Sequence, residues 1–298
     1  MKTLFTVLVL SIFLVACETV SYYGQAVSGQ LYILSHREKI ENLLEDDSTS
    51  PELRDKLATI LQIREFAEQQ LGLPLDDNYE TYVDVERPFV VWNVFASPEL
   101  SMDPVSWCYP IAGCVTYRGY FSEINANAFA EKLKQENLDV YVGGVAAYST
   151  LGWFSDSILN TVVGRDDHQL ASLIFHELAH QLLYIPGDTE FNESFATAVE
   201  QEGLKRWLAQ TSLADDFSND LIETAQQDQA KRVQFVDLVQ ATVSKLENIY
   251  AANVTDQSKL AAKQETISNL RADYQQLKIS WNGYQAYDAW FSRDLNKA

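Results

Sequence analysis

The run Ser172-Leu173-Ile174-Phe175-His176-Glu177-Leu178-Ala179-His180-Gln181-Leu182-Leu183 sets two imidazoles four residues apart around a carboxylate. On a helix, side chains four apart share a face and lie about 6 Å apart at Cβ. His176 and His180 can therefore each present a ring nitrogen to one Zn2+ ion at roughly 2.0–2.1 Å. Glu177 falls at the rim of that face, where a carboxylate reaches a water on the metal rather than the metal itself and can act as general base. The chain holds only four His, and a buried, unpaired His pair beside a carboxylate is costly unless a metal or hydrogen bonds compensate.

A catalytic zinc keeps three protein ligands and one open position, so a third ligand must come from elsewhere. A histidine at metzincin spacing would need Gly at Leu183 and His at Pro186, and neither is present. The acidic candidates are Asp188, Glu190, Glu193 and Glu200. Glu193 is favoured over Asp188: a helix that follows the Pro186-Gly187 reversal can pack antiparallel to the first and aim that side chain back at the histidines.

The elements that must position these groups follow from periodicity and breakers. Residues 31–71 read as a helical hairpin, two amphipathic runs joined at Asp46 to Glu52, with Ser50 as N-cap and Pro51 at N1. From Tyr79 to Ala96 the β-branched and aromatic content predicts strands, a helix follows at about 123–138, and Val140 to Phe154 returns to strand character. The histidine helix is expected over Asp166 to Leu183, and Asn192 is expected to cap the next helix, which runs to about Gln210. Residues 214–278 read as almost continuously helical, a covering subdomain rather than a coiled-coil arm because the apolar repeat is irregular. The expected fold class is α+β, mainly helical, with a small mixed or antiparallel sheet and a C-terminal helical subdomain. The expected division is 1–16 as signal peptide, 17–212 as catalytic domain and 213–298 as helical subdomain.

Lys2 and the apolar run Leu4 to Val15 have the form of an export signal, too short to span a bilayer comfortably. Leu14-Val15-Ala16-Cys17 resembles the lipobox of bacterial lipoproteins, which implies cleavage before Cys17 and a lipid anchor on its thiol. Glu18, where an Asp would retain such a protein in the inner membrane, points to the periplasmic face of the outer membrane. Export carries the chain into an oxidising compartment, so Cys108 and Cys114, flanking a turn rich in Pro and Gly, are expected to form a disulfide. A two-thiolate metal site would lack its second Cys or His pair. The net charge of −20, with no cluster of Lys and Arg, excludes nucleic acid as a partner on electrostatic grounds.

His176-Glu177-Leu178-Ala179-His180 followed by Asn192-Glu193-Ser194-Phe195-Ala196 is similar to the gluzincin superfamily of zinc peptidases, in which the third ligand is a Glu on the helix after the motif. More narrowly, Trp107 to Cys114, Tyr117-Arg118-Gly119-Tyr120-Phe121, Tyr148 to Phe154 and Trp281-Asn282-Gly283-Tyr284 resemble a family of predicted bacterial aminopeptidases, often lipoproteins. The resemblance implies a zincin-like catalytic core, Zn2+ as cofactor, a peptide as substrate and aminopeptidase activity. It also implies an edge strand over Gly143 to Thr150, which makes Tyr148 the first choice for stabilising the oxyanion; Tyr117, Arg118 and His168 are weaker options. Two other readings fit the same residues: a lipid-anchored scaffold with a structural metal site, which has no need of Glu177, and a zinc endopeptidase.

Overall fold

Ser50 and Pro51 start a helix as their chemistry requires: the Ser50 hydroxyl accepts the Leu53 amide at 3.3 Å, and Pro51 occupies the first turn. The computed structural model describes residues 20–109, 113–147, 155–212, 218–293 and 295. In chain order, a helix α1 runs through residues 20–35, followed by β1 (Glu38–Lys39), α2 (Ile40–Glu45) and α3 (Pro51–Leu71), which ends at Gly72 with φ +66°. The expected first arm of the hairpin is thus broken. His36 Nδ1 lies 2.8 Å from the Tyr32 carbonyl at the helix end, and Glu38 and Lys39 pair with Tyr82 and Thr81. A strand ladder to a segment forty residues away wins over local helical periodicity.

Then come β2 (Thr81–Val83), β3 (Val91–Pro98), β4 (Trp107–Tyr109), β5 (Gly113–Val115), β6 (Tyr117–Tyr120), α4 (Glu123–Gln135), β7 (Leu138–Val145), β8 (Ile158–Leu159) and α5 (Asn160–Val163). The last elements are α6 (Asp167–Leu182), α7 (Thr189–Ser212), α8 (Ser218–Ala251), α9 (Asp256–Ser280) and α10 (Asp288–Phe291). The protein is mainly helical with small sheets, an α+β fold. No helix among the described residues is long and apolar enough to cross a membrane.

The chain forms two compact units, each made of two stretches. One comprises the residues up to Val91 with Gly144–Ile222; the other comprises Trp92–Gly143 with Glu223–Ala298.

The first unit holds a mixed sheet of order β1-β2-β8, antiparallel then parallel, and the helices α3, α6 and α7. Leu57, Ile60 and Ile63 of α3 and Leu170, Ile174, Phe175 and Leu178 of α6 are fully buried. Gly203 lets α7 come close: a Cβ there would lie 2.8 Å from Leu71 Cδ1 and 2.9 Å from Phe175 Cδ2. Helix propensity alone makes Gly203→Ala stabilising by about 0.5–1 kcal/mol. The Leu71 methyl can swing away, but the buried Phe175 ring cannot, so the opposite sign is expected: a loss of about 1–3 kcal/mol. Chemical denaturation measures it, and a variant as stable as the parent contradicts this close approach.

The second unit carries the sheet β6-β3-β7 and the β4-β5 hairpin. Cys108 and Cys114 face each other across that hairpin and are joined in a disulfide, as expected. Lys263 of α9 is buried, pairs with Asp139 at 2.5 Å and donates to the Glu99 carbonyl at 2.9 Å. An aromatic cluster closes the C-terminal helices, with Tyr274 stacked on Phe291 and Phe235 on Tyr287. The almost continuously helical stretch expected over 214–278 forms α8 and α9 among its described residues, separated at 252–255, where Thr255 caps α9 through the Ser258 amide.

Candidate metal centre

Helix α6 is set in place at its start, where the Gln169 amide oxygen accepts the Asp166 N–H at 3.4 Å and Lys56 pairs with Asp167 at 2.7 Å. Its apolar face is buried, so the polar face carrying His176, Glu177 and His180 is fixed in direction. Helix α7 returns beside it. Going down α6 from His180 to His176 to Phe175, the partners on α7 climb from Glu193 to Glu200 to Gly203, so the two helices run antiparallel.

This hairpin begins differently from the expectation. Helix α7 starts at Thr189, and Asp188 caps it by accepting the Phe191 amide at 3.0 Å. Asn192 is therefore inside the helix. Its buried amide instead bonds Ile185, accepting the N–H and donating to the carbonyl at 2.8 Å each. Those two bonds satisfy the backbone of the connecting loop, a stronger call on the amide than a cap that Asp188 already supplies.

His176 Nε2 and His180 Nε2 lie 3.2 Å apart. Glu193 Oε2 is 3.4 Å from the first, and Glu193 Oε1 is 3.6 Å from the second. Four-coordinate zinc, with bonds near 2.0–2.1 Å, sets neighbouring donors about 3.3 Å apart. The two imidazole nitrogens meet that spacing, Glu193 approaches each of them with a different carboxylate oxygen, and two imidazoles with one carboxylate fit a zinc ion in chemistry. Among the described residues, these three form a group that could hold a metal ion.

Glu200 lies two turns beyond Glu193, on the same side of α7, and its carboxylate is 3.0 Å from His176 Nδ1. An Nδ1–H donated to that carboxylate leaves the Nε2 lone pair free for a cation, the arrangement that orients metal-binding histidines. The same hydrogen bond is the main cause that raises the His176 pKa; burial opposes it, and the charges of Glu177, Glu200 and Glu193 add to it. Burial lowers the pKa of His180, with the adjacent His176 adding to the effect and Glu193 opposing it. Its Nδ1 is buried without a hydrogen-bond partner among the described residues. Replacing Glu200 with Gln is expected to weaken zinc binding roughly 10- to 100-fold. Competition with a chelator reads this out, and an unchanged affinity removes Glu200 from the site.

A sequence model of one protein family matches residues 21–298. The chain belongs to that family, described as "Putative aminopeptidase". No curated protein and no solved structure matches it. The span shared with the aminopeptidase family contains both helices of the centre and the disulfide hairpin.

Of the other residues singled out by sequence, Tyr148 and Cys17 lie outside the described residues. Tyr117 and Arg118 sit on β6 in the second unit, where the Arg118 guanidinium lies over the Phe129 ring at 4.5 Å. His168 is buried in the first turn of α6. Eight residues separate it from His176, about 12 Å along a helix axis, so it is not part of the cluster.

Glu200, expected only as a possible ligand, is instead placed to orient His176. Tyr79, a buried residue at φ +59°, was not among the expected site residues. A bulky side chain in the left-handed region costs about 1–3 kcal/mol and persists only where the surroundings impose it. Here the Tyr79 N–H donates to the Asp156 carbonyl at 2.7 Å, and the neighbouring Asn78 amide donates to Gln181 Oε1 at 2.8 Å and accepts the Asp156 N–H at 2.7 Å. Burial pushes the Tyr79 phenol well above its ordinary pKa, and the charges of Glu177 and Asp156 push it the same way. A neutral phenol thus lies within the field of the Glu177 carboxylate.

Proposed function

We propose that the chain is a zinc-dependent peptidase with a zincin-like core, an aminopeptidase acting on peptides at the periplasmic face of the outer membrane, where a lipid on Cys17 anchors it. The observation that carries the reading is the convergence of His176 Nε2, His180 Nε2 and the Glu193 carboxylate at 3.2–3.6 Å, with Glu177 on the same helix. Membership of the aminopeptidase family supports the peptidase class.

His176, His180 and Glu193 would hold the ion. When bound, zinc supplies a Lewis acid and lowers the pKa of a water. Glu177, half-buried beside His176, takes a proton from the attacking water and delivers it to the leaving amine. Glu200 holds the His176 ring in the tautomer that leaves Nε2 available.

Metal analysis of the purified protein, paired with digestion of a peptide library in free and N-terminally blocked forms, tests the proposal. One zinc per chain and cleavage confined to free N-termini are expected. Cleavage of blocked peptides makes it an endopeptidase, and zinc without cleavage leaves a scaffold.

A further inference from the structure

The loop joining the two helices of the centre leaves a run of large apolar side chains in solvent. Leu182, Leu183, Tyr184 and Ile185 are 40–50% exposed, and Phe191 is 38% exposed. Single exposed apolar residues are ordinary, but a contiguous group on a folded surface marks a binding site.

The loop is built rather than slack. Asn192 pins Ile185 through both its N–H and its carbonyl, the Asp188 amide donates to the same carbonyl at 3.2 Å, and Gly187 turns the chain at φ +87°. One of its apolar groups borders the centre. The Tyr184 ring lies 6.3 Å from the His180 ring, while Phe191, two residues before Glu193 and so on the other face of α7, stacks on Phe195. Charge narrows the occupant further: residues 182–191 include Asp188 and Glu190 and no Lys or Arg, so an anionic lipid headgroup or acidic side chain is repelled.

We propose that residues 182–191 form a ledge that seats a large apolar side chain of a peptide, next to the bond presented to the metal centre. The assignment rests on the peptidase reading. A peptide carrying Leu or Phe at that position buries its side chain against Tyr184 and Ile185, whereas Ser or Asp leaves them in water.

Binding tests it without hydrolysis. Fluorescence anisotropy on Glu177→Gln protein, with labelled peptides that differ only in Leu, Phe, Ser or Asp at one position, should show the Leu and Phe peptides bound roughly 10- to 100-fold more tightly. In Tyr184→Ser and Ile185→Ser made on that background, the ratio should fall toward unity at unchanged zinc content. Both sites are exposed, so folding is preserved, and circular dichroism checks it. Equal affinities in the parent overturn the proposal, as does a preference that survives both substitutions. So does a loss of sedimentation with phosphatidylcholine vesicles, or of self-association, while the peptide ratio stays unchanged. Digesting the same peptides with wild-type protein separates the two readings. Selective binding without cleavage keeps the ledge and refutes the peptidase; cleavage without apolar preference does the reverse.

Discussion

Glu177→Gln is expected to lower kcat for peptide hydrolysis by about 100- to 10,000-fold, the usual contribution of a positioned general base. The amide matches the carboxylate in shape but cannot accept the proton. Zinc content should not change, because the donors converging at 3.2–3.6 Å are His176, His180 and Glu193, and Glu177 is not among them. Steady-state kinetics beside metal analysis separates three outcomes. Loss of rate with metal retained fits a base, loss of both makes Glu177 a ligand, and no change in either removes it from the chemistry. The last result also favours the scaffold reading, in which a carboxylate at that position is idle. A fall in rate should not come from altered folding, since the side chain lies on the polar face of α6 while Leu178, Ala179 and Ile174 carry its packing.

The readable part of this fold was the part governed by local spacing. Helix α6 could be bounded almost to the residue from its apolar character and the Pro186-Gly187 break, and the two imidazoles follow from a four-residue separation on it. The placement of Glu193 beside them was also accessible, because Pro186-Gly187 reverses the chain and leaves α7 few ways to return. Partner choice was not readable. Asn192 looked like a cap, but its amide is taken by Ile185 and Asp188 caps in its stead. Residues 38–39 looked helical, but their backbone is claimed by β2. Tyr79 gave no signal, since the bonds around it are long-range: those of the neighbouring Asn78 amide span 78 and 103 residues. The same applies to the two units. Crossings at 91/92 and 143/144 fall within strand-forming sequence, with no composition shift or linker to mark them. Glu200 lies between these cases: its seven-residue offset from Glu193 puts it on the right face, but its action on His176 Nδ1 depends on how closely α7 packs on α6.

His180→Ala should remove the metal more completely than any change at Glu200. His180 is the most buried of the three donors, its side chain 7% exposed against 58% for Glu193. Burial lowers its pKa, which favours the neutral imidazole whose lone pair a cation needs. Without it the centre retains one imidazole and one exposed carboxylate, too few for a closed coordination sphere. The loss in affinity should therefore exceed the roughly 10- to 100-fold expected for an orienting residue. Stability gives a second readout. An ion that binds only the folded state stabilises it by about 2.7 kcal/mol at one hundred times its Kd, so zinc added to stripped wild-type protein should raise Tm by several degrees. The same addition should leave His180→Ala unmoved, and Glu193→Ala should behave alike. If His180→Ala instead binds one zinc per chain and gains the same Tm, the ion sits elsewhere, and the three donors hold their spacing through the helix packing alone.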